Sequence, residues 1–134
     1  VLTLKSDKSW EKALRCAQSA LDKKAYDLVI LEVSALTSVT DYFVICTGRS
    51  DTQVQSLCRA IEESMAQIGA KPLAIEGFEH GQWVLMDFGD AVVHIFYETV
   101  REFYNLEGLW AQAPRRLLPE PYYTQAQHLK LATA

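Results

Sequence analysis

Two apolar runs in the first half of the chain constrain its fold more than any other feature. Residues 27–33 read DLVILEV and residues 42–47 read YFVICT. A strand with one face in water alternates apolar and polar residues, and these runs do not, so each predicts a strand buried on both faces. Middle strands covered twice need helices on either side of the sheet. Trp10, Ala13, Leu14, Ala17 and Leu21 recur at helical spacing and predict an amphipathic helix from about Asp7 to Lys23. Val54, Leu57, Cys58, Ile61, Met65 and Ile68 predict a second helix. Ser50 with Gln53 three residues on reads as its capping box, and Gly69 as its stop. Strand, Gly48-Arg49-Ser50 break and helix, in that order, open a βαβ unit. Asp41, at the entry to the second strand, is expected to cap a loop or that strand.

The second half supplies the rest of the sheet. Lys71–Glu76 predicts a third strand, with Pro72 near its start, where a missing donor does least harm. Gln82–Asp87 and Ala91–Tyr97 predict a hairpin around Phe88-Gly89-Asp90. From Glu98 to about Gln112 the pattern returns to helix, with Phe103, Leu106 and Trp110 on one stripe and Pro114 as the stop. The expectation is an α/β domain over residues 1–114, built on a single mixed sheet of about five strands flanked by helices. An irregular tail over residues 115–134 follows. There is no internal repeat, and 134 residues suit one domain.

Charge is unevenly placed. Residues 1–25 carry +3, residues 26–114 carry −9 and residues 115–134 carry +2. A stretch at −9 repels a phosphate backbone, which argues against DNA as partner, and favours a basic protein. No apolar run approaches the ~20 residues of a membrane span, and the first residues lack the basic-then-apolar pattern of a signal peptide. Cys16, Cys46 and Cys58 lie in apolar patterns without C-x-x-C spacing, which reads as reduced, buried thiols in cytoplasm or an organelle stroma or matrix.

Catalytic constellations are weak. Asp87-Phe88-Gly89 spells a kinase label, but no glycine-rich loop or H-R-D segment accompanies it. Gly48-Arg49-Ser50 before a helix would suit a phosphate. Nucleotidyl transfer also needs paired carboxylates for divalent metals on a neighbouring strand. The following strand, LAIE, has no such pair, and Asp87 and Asp90 flank a turn. His94, between Val93 and Ile95, reads as a core or groove histidine; His80 and His128 have no second ligand at zinc spacing. No cofactor, metal or catalytic residue is therefore expected. Trp83, Leu85 and Asp87 alternate onto one face of their strand, a large aromatic beside a carboxylate, which suits an interface as well as a core. Exposed in a free monomer, such a face tends to be covered, so a homodimer, or a weak monomer–dimer equilibrium, is expected when the chain is alone.

Several segments together resemble the ribosomal silencing factor family, also called the Iojap-like proteins. They are Thr40-Asp41-Tyr42-Phe43-Val44-Ile45, Thr47-Gly48-Arg49-Ser50, Glu76-Gly77, residues 81–90 (GQWVLMDFGD), residues 92–96 (VVHIF) and residues 101–110 (REFYNLEGLW). The match runs from about Trp10 to Pro114. Asn105 stands where aspartate is common in the family, and Gly108 where a basic residue is frequent. The resemblance implies a nucleotidyltransferase-like fold without the catalytic carboxylates. It implies binding to the large ribosomal subunit through that subunit's universal protein number fourteen. The bound factor would bar the small subunit and repress translation when nutrients are short. A role in large-subunit assembly would use the same surface, and a nucleotidyltransferase-like enzyme is the remaining alternative. Carried onto this chain, the docking residues would be Trp83, Val84, Leu85, Asp87 and Gly89 on the hairpin, and Tyr104, Asn105 and Glu107 after it.

Overall fold

The computed structural model describes residues 2–122. The chain runs α1 (Leu2–Asp22), β1 (Tyr26–Glu32), β2 (Tyr42–Gly48), α2 (Asp51–Ala66), β3 (Ala74–Glu76), β4 (Trp83–Asp87), β5 (Ala91–Tyr97), α3 (Glu98–Tyr104), α4 (Leu106–Leu109) and β6 (Arg115–Arg116). One sheet collects the strands in the order β3-β4-β5-β2-β1-β6. Among the described residues only β2 and β5 pair in parallel, with α2 and the β3–β4 excursion forming the crossover between them. The two apolar runs noticed first are β1 and β2, and both are interior strands.

Strand alternation divides the apolar residues between two cores. Leu28 and Ile30 of β1, Tyr42, Val44 and Cys46 of β2, Val84 and Met86 of β4, and Ala91, Val93 and Ile95 of β5 face α1 and α2. Opposite them, Leu31, Val33, Ile45 and Phe96 meet Leu106 of α4 and Ala113 beyond it. Each large aliphatic side chain so buried contributes ~1.5–3 kcal/mol. Cys16, Cys46 and Cys58 are buried free thiols, and burial pushes them up to about 12, 12 and 11 respectively.

Polar ties set how α1 sits. Ser9, with no exposed surface, places its hydroxyl 2.7 Å from Asp41 Oδ2 and 3.1 Å from Asp90 Oδ2. Lys12 Nζ donates to Asp90 Oδ1 at 2.9 Å. Asp41 therefore anchors a helix rather than capping a loop. Ser50 does cap α2, its hydroxyl accepting from the Gln53 amide at 3.0 Å. The reciprocal bond shifts by one residue, with Gln53 Oε1 accepting from Arg49 N–H. At the other end Gly69, with φ 73, lets Ala70 N–H reach Met65 O and its own N–H reach Ala66 O.

Four differences from the sequence reading have local causes. The first helix begins at Leu2 rather than about Asp7. Ile68 lies past α2 and is exposed, because the chain is already turning toward Gly69. The third strand narrows to Ala74–Glu76, although Leu73 N–H still bonds to Asp87 O. The expected helix from Glu98 to Gln112 breaks at Asn105, whose left-handed φ of 45 separates α3 from α4. Phe103, placed on the buried stripe, is 81% exposed as a result.

The chain after Pro114 is also not wholly irregular. Arg115 and Arg116 add β6 to the edge of β1. Arg116 donates to Glu32 Oε1 at 2.8 Å and lies 4.4 Å above the Trp10 ring, and Leu118 enters the core under α1. The rest of the expected tail, residues 123–134 with His128, lies outside the described residues.

An uncovered sheet face as the candidate site

The helix layer of α1 and α2 covers one face of the sheet; α3, α4 and the turn after them cover only part of the other. What they leave open is paved with rings. The β4 side chains alternate, so Val84 and Met86 are buried against the helix layer while Trp83, Leu85 and Asp87 are half-buried on the open side. Register places Trp83 opposite Phe96 and Leu85 opposite His94 on β5. The Trp83 ring meets Phe96 at 4.8 Å and Tyr104 at 4.9 Å between centroids. Phe43 stands edge-on to His94 at 4.9 Å and to Trp110 at 5.0 Å. Tyr104, Phe103 and Leu109 carry the apolar surface outward along α3 and α4.

His94 lies beneath this floor. Trp83 Nε1–H donates to His94 Nδ1 at 3.1 Å, while His94 Nε2 has no hydrogen-bond partner among the described residues. Burial pushes its imidazole down to about 4, so it is neutral at ordinary pH. At the hairpin tip Gly89 adopts φ 91 and donates its N–H to Asp87 Oδ1 at 2.8 Å, which fixes that carboxylate beside the turn.

A buried arginine builds the other wall. Arg101 Nη2 donates to Glu107 Oε2 at 2.8 Å, and its Nη1 donates to Thr47 Oγ1 at 2.8 Å and to the Asp27 carbonyl. It thereby fastens α4 to the ends of β1 and β2. Burial raises the Glu107 carboxyl, but its hydrogen bond with Arg101 and that charge outweigh burial and hold it below the usual range. The Asn105 side chain lies over Gly108, where a Cβ would collide with it. The two departures noted in the sequence are thus one spatial pair.

Of the residues named for docking, the structure brings Trp83, Leu85 and Tyr104 onto one face, with Asp87 and Gly89 at the hairpin end. Asn105 is exposed at the elbow between α3 and α4. Glu107 is largely occupied by Arg101. Val84 does not belong there: with 0% exposed it faces the core, since the pleat turns it away from its neighbours. Sequence reasoning missed Phe43, His94 and Arg101 as parts of this candidate site. Arg101 carried one signal, a lone basic residue between Lys71 and Arg115, but its partners lie as far as 74 residues away. Among the described residues no His, Cys, Asp and Glu group could hold a metal, and no helix is long and apolar enough to cross a membrane.

Comparison with known proteins identifies the family. A family model described as "Ribosomal silencing factor during starvation" matches residues 6–133, reaching further at both ends than the motifs alone did. The ribosomal silencing factor RsfS of Bacillus subtilis is 44% identical over 102 residues, covering 75% of this chain and 86% of that protein. The chloroplastic protein Iojap of Zea mays is 38% identical over 118 residues, covering 86% of this chain and 49% of that longer protein. A crystal structure from Chromobacterium violaceum superposes with TM-score 0.75 at 34% identity, covering 76% of this chain and 85% of that one. Another, from Bacillus halodurans, gives 0.70 at 38%, covering 81% and 99%.

Proposed function

The chain belongs to the ribosomal silencing factor family, and from that membership we propose that it docks on the large ribosomal subunit through the subunit's universal protein number fourteen. Seated there, it bars the small subunit and represses translation under nutrient limitation by occupancy, without catalysis. The observation that carries this reading is the open face around Trp83. Half-buried rings and one carboxylate lie side by side there, in a stretch of chain at −9, which suits a basic protein surface. A contact of standard size hides roughly 800 Å² on each partner, enough to hold a 15.1 kDa body across a neighbouring contact. In the free protein the same face is covered by a second copy, so dimer and ribosome compete. The compartment is that of the ribosome served, bacterial cytoplasm or an organelle stroma or matrix.

Order of addition tests this. Mixed with large subunits before small ones, the protein should lower the yield of joined ribosomes in proportion to occupancy. Added to ribosomes already joined it should do far less. Trp83→Ala, still folded by circular dichroism, should lose about 2 kcal/mol or more of binding as a central anchor. A folded Trp83→Ala that blocks joining as well as the parent does would remove this face from the mechanism.

A further inference from the structure

We propose that His94 is a positioning residue for recognition, holding the Trp83 indole in one orientation before a partner arrives. This rests on the docking reading above, and it concerns how the anchor is set rather than where it lies.

The bond between the two has one possible direction. An indole N–H only donates, so His94 Nδ1, 3.1 Å away, presents its lone pair and the ring proton sits on Nε2. Phe96 and Tyr104, at 4.8 and 4.9 Å, confine the indole ring but do not distinguish its two edges. A ring turned over between the same neighbours would point its N–H elsewhere. The His94 acceptor selects one of the two arrangements. His94 is itself held, by Phe43 edge-on at 4.9 Å and by a backbone paired on both sides, to Leu85 of β4 and Ile45 of β2.

The position also carries a cost that an all-carbon ring would not. Nε2 is buried with no partner among the described residues. An interior donor left unpaired lowers stability. Phenylalanine would fill similar space without it. A polar ring that gives up stability, and whose other nitrogen holds the indole packed between Phe96 and Tyr104, is explained by what it does for that indole. An anchor fixed in advance loses less freedom on binding.

The test uses the full chain, purified large ribosomal subunits, and two variants. His94→Phe keeps the ring and removes the acceptor, whereas His94→Gln offers an amide oxygen in its place. His94→Phe should melt at or above the parent's temperature. Its Trp83 indole N–H resonance should shift and exchange faster with solvent, and its binding should weaken about tenfold, as for one lost hydrogen bond. His94→Gln should keep the indole resonance protected and bind within about threefold of the parent. Unchanged binding by folded His94→Phe, an unmoved indole resonance, or a His94→Gln as impaired as His94→Phe each overturns the proposal. The parent alone supplies a further check, because nitrogen shifts showing a protonated Nδ1 would overturn it whatever the variants do. If the parent fails to bind large subunits, the docking reading falls first and the recognition role falls with it.

Discussion

At Glu107 the proposed docking role meets a structural one in one carboxylate. On a docking face, Glu107→Lys would act through repulsion and recover as salt rises. Here it also strands Arg101, which is 6% exposed, so added salt should restore little. Glu107→Ala should cost about 2–3 kcal/mol in a urea melt. That is below the ~3–5 of a fully buried pair, because the Glu107 side chain keeps 21% of its surface exposed. His94 gives a separate signature in pH. Its imidazole is held down to about 4, so between there and the ordinary ~6.5 the unfolded chain takes up a proton that the folded chain refuses. Stability should therefore fall as pH is lowered through that window, by roughly 3 kcal/mol at its foot. Melts of the parent and His94→Phe should lie further apart at pH 5 than at pH 7, because only the parent loses this stability. Alternation made Trp83, Leu85 and Asp87 legible as one face, and the same rule would have excluded Val84, which entered with its motif. The Trp83–His94 bond was not legible. It depends on which β5 residue stands diagonal to Trp83, and register is set by the folded sheet.

Among the elements, α1, α2 and the β4–β5 hairpin were readable because each carries its own periodicity and its own stop. The α3–α4 elbow was not. A stripe of apolar residues runs through Asn105 without interruption, and only the backbone reveals the left-handed turn that asparagine tolerates better than most residues. Asn105→Val should therefore destabilise by about 1–2 kcal/mol, with the loss seen first in the Trp110 indole resonance rather than in that of Trp10. Ser50→Ala should cost about 0.5–2 kcal/mol through the lost cap of α2, while binding to large subunits stays near the parent's at low temperature. A Ser50→Ala protein of normal stability that no longer binds would move the functional face to that end of the sheet. The two-residue β6 has no pattern of its own, so its place beside β1 is visible only with its partner present.

For the molecule as a whole, the helix layer covers one side of the sheet and leaves the other, the face proposed for docking, only partly covered. An acidic middle stretch meeting a basic partner should show an association rate that falls with added salt, while dissociation changes less. Light scattering should show a dimer, and large subunits should dissolve it; a strict monomer at high concentration would remove the idea that the two compete. The tie from Ser9 to Asp41 and Asp90 bears on how such a molecule is made. A chain leaves the ribosome from its N-terminal side onward, and α1 is made before every other described element. Its seat is a carboxylate pair whose second member comes 81 residues later, on a floor that lacks its central strand until β5 follows. The helix made before the rest of the described fold is thus among the last parts of it to be seated, and a nascent chain ending at residue 66 should remain open to proteolysis.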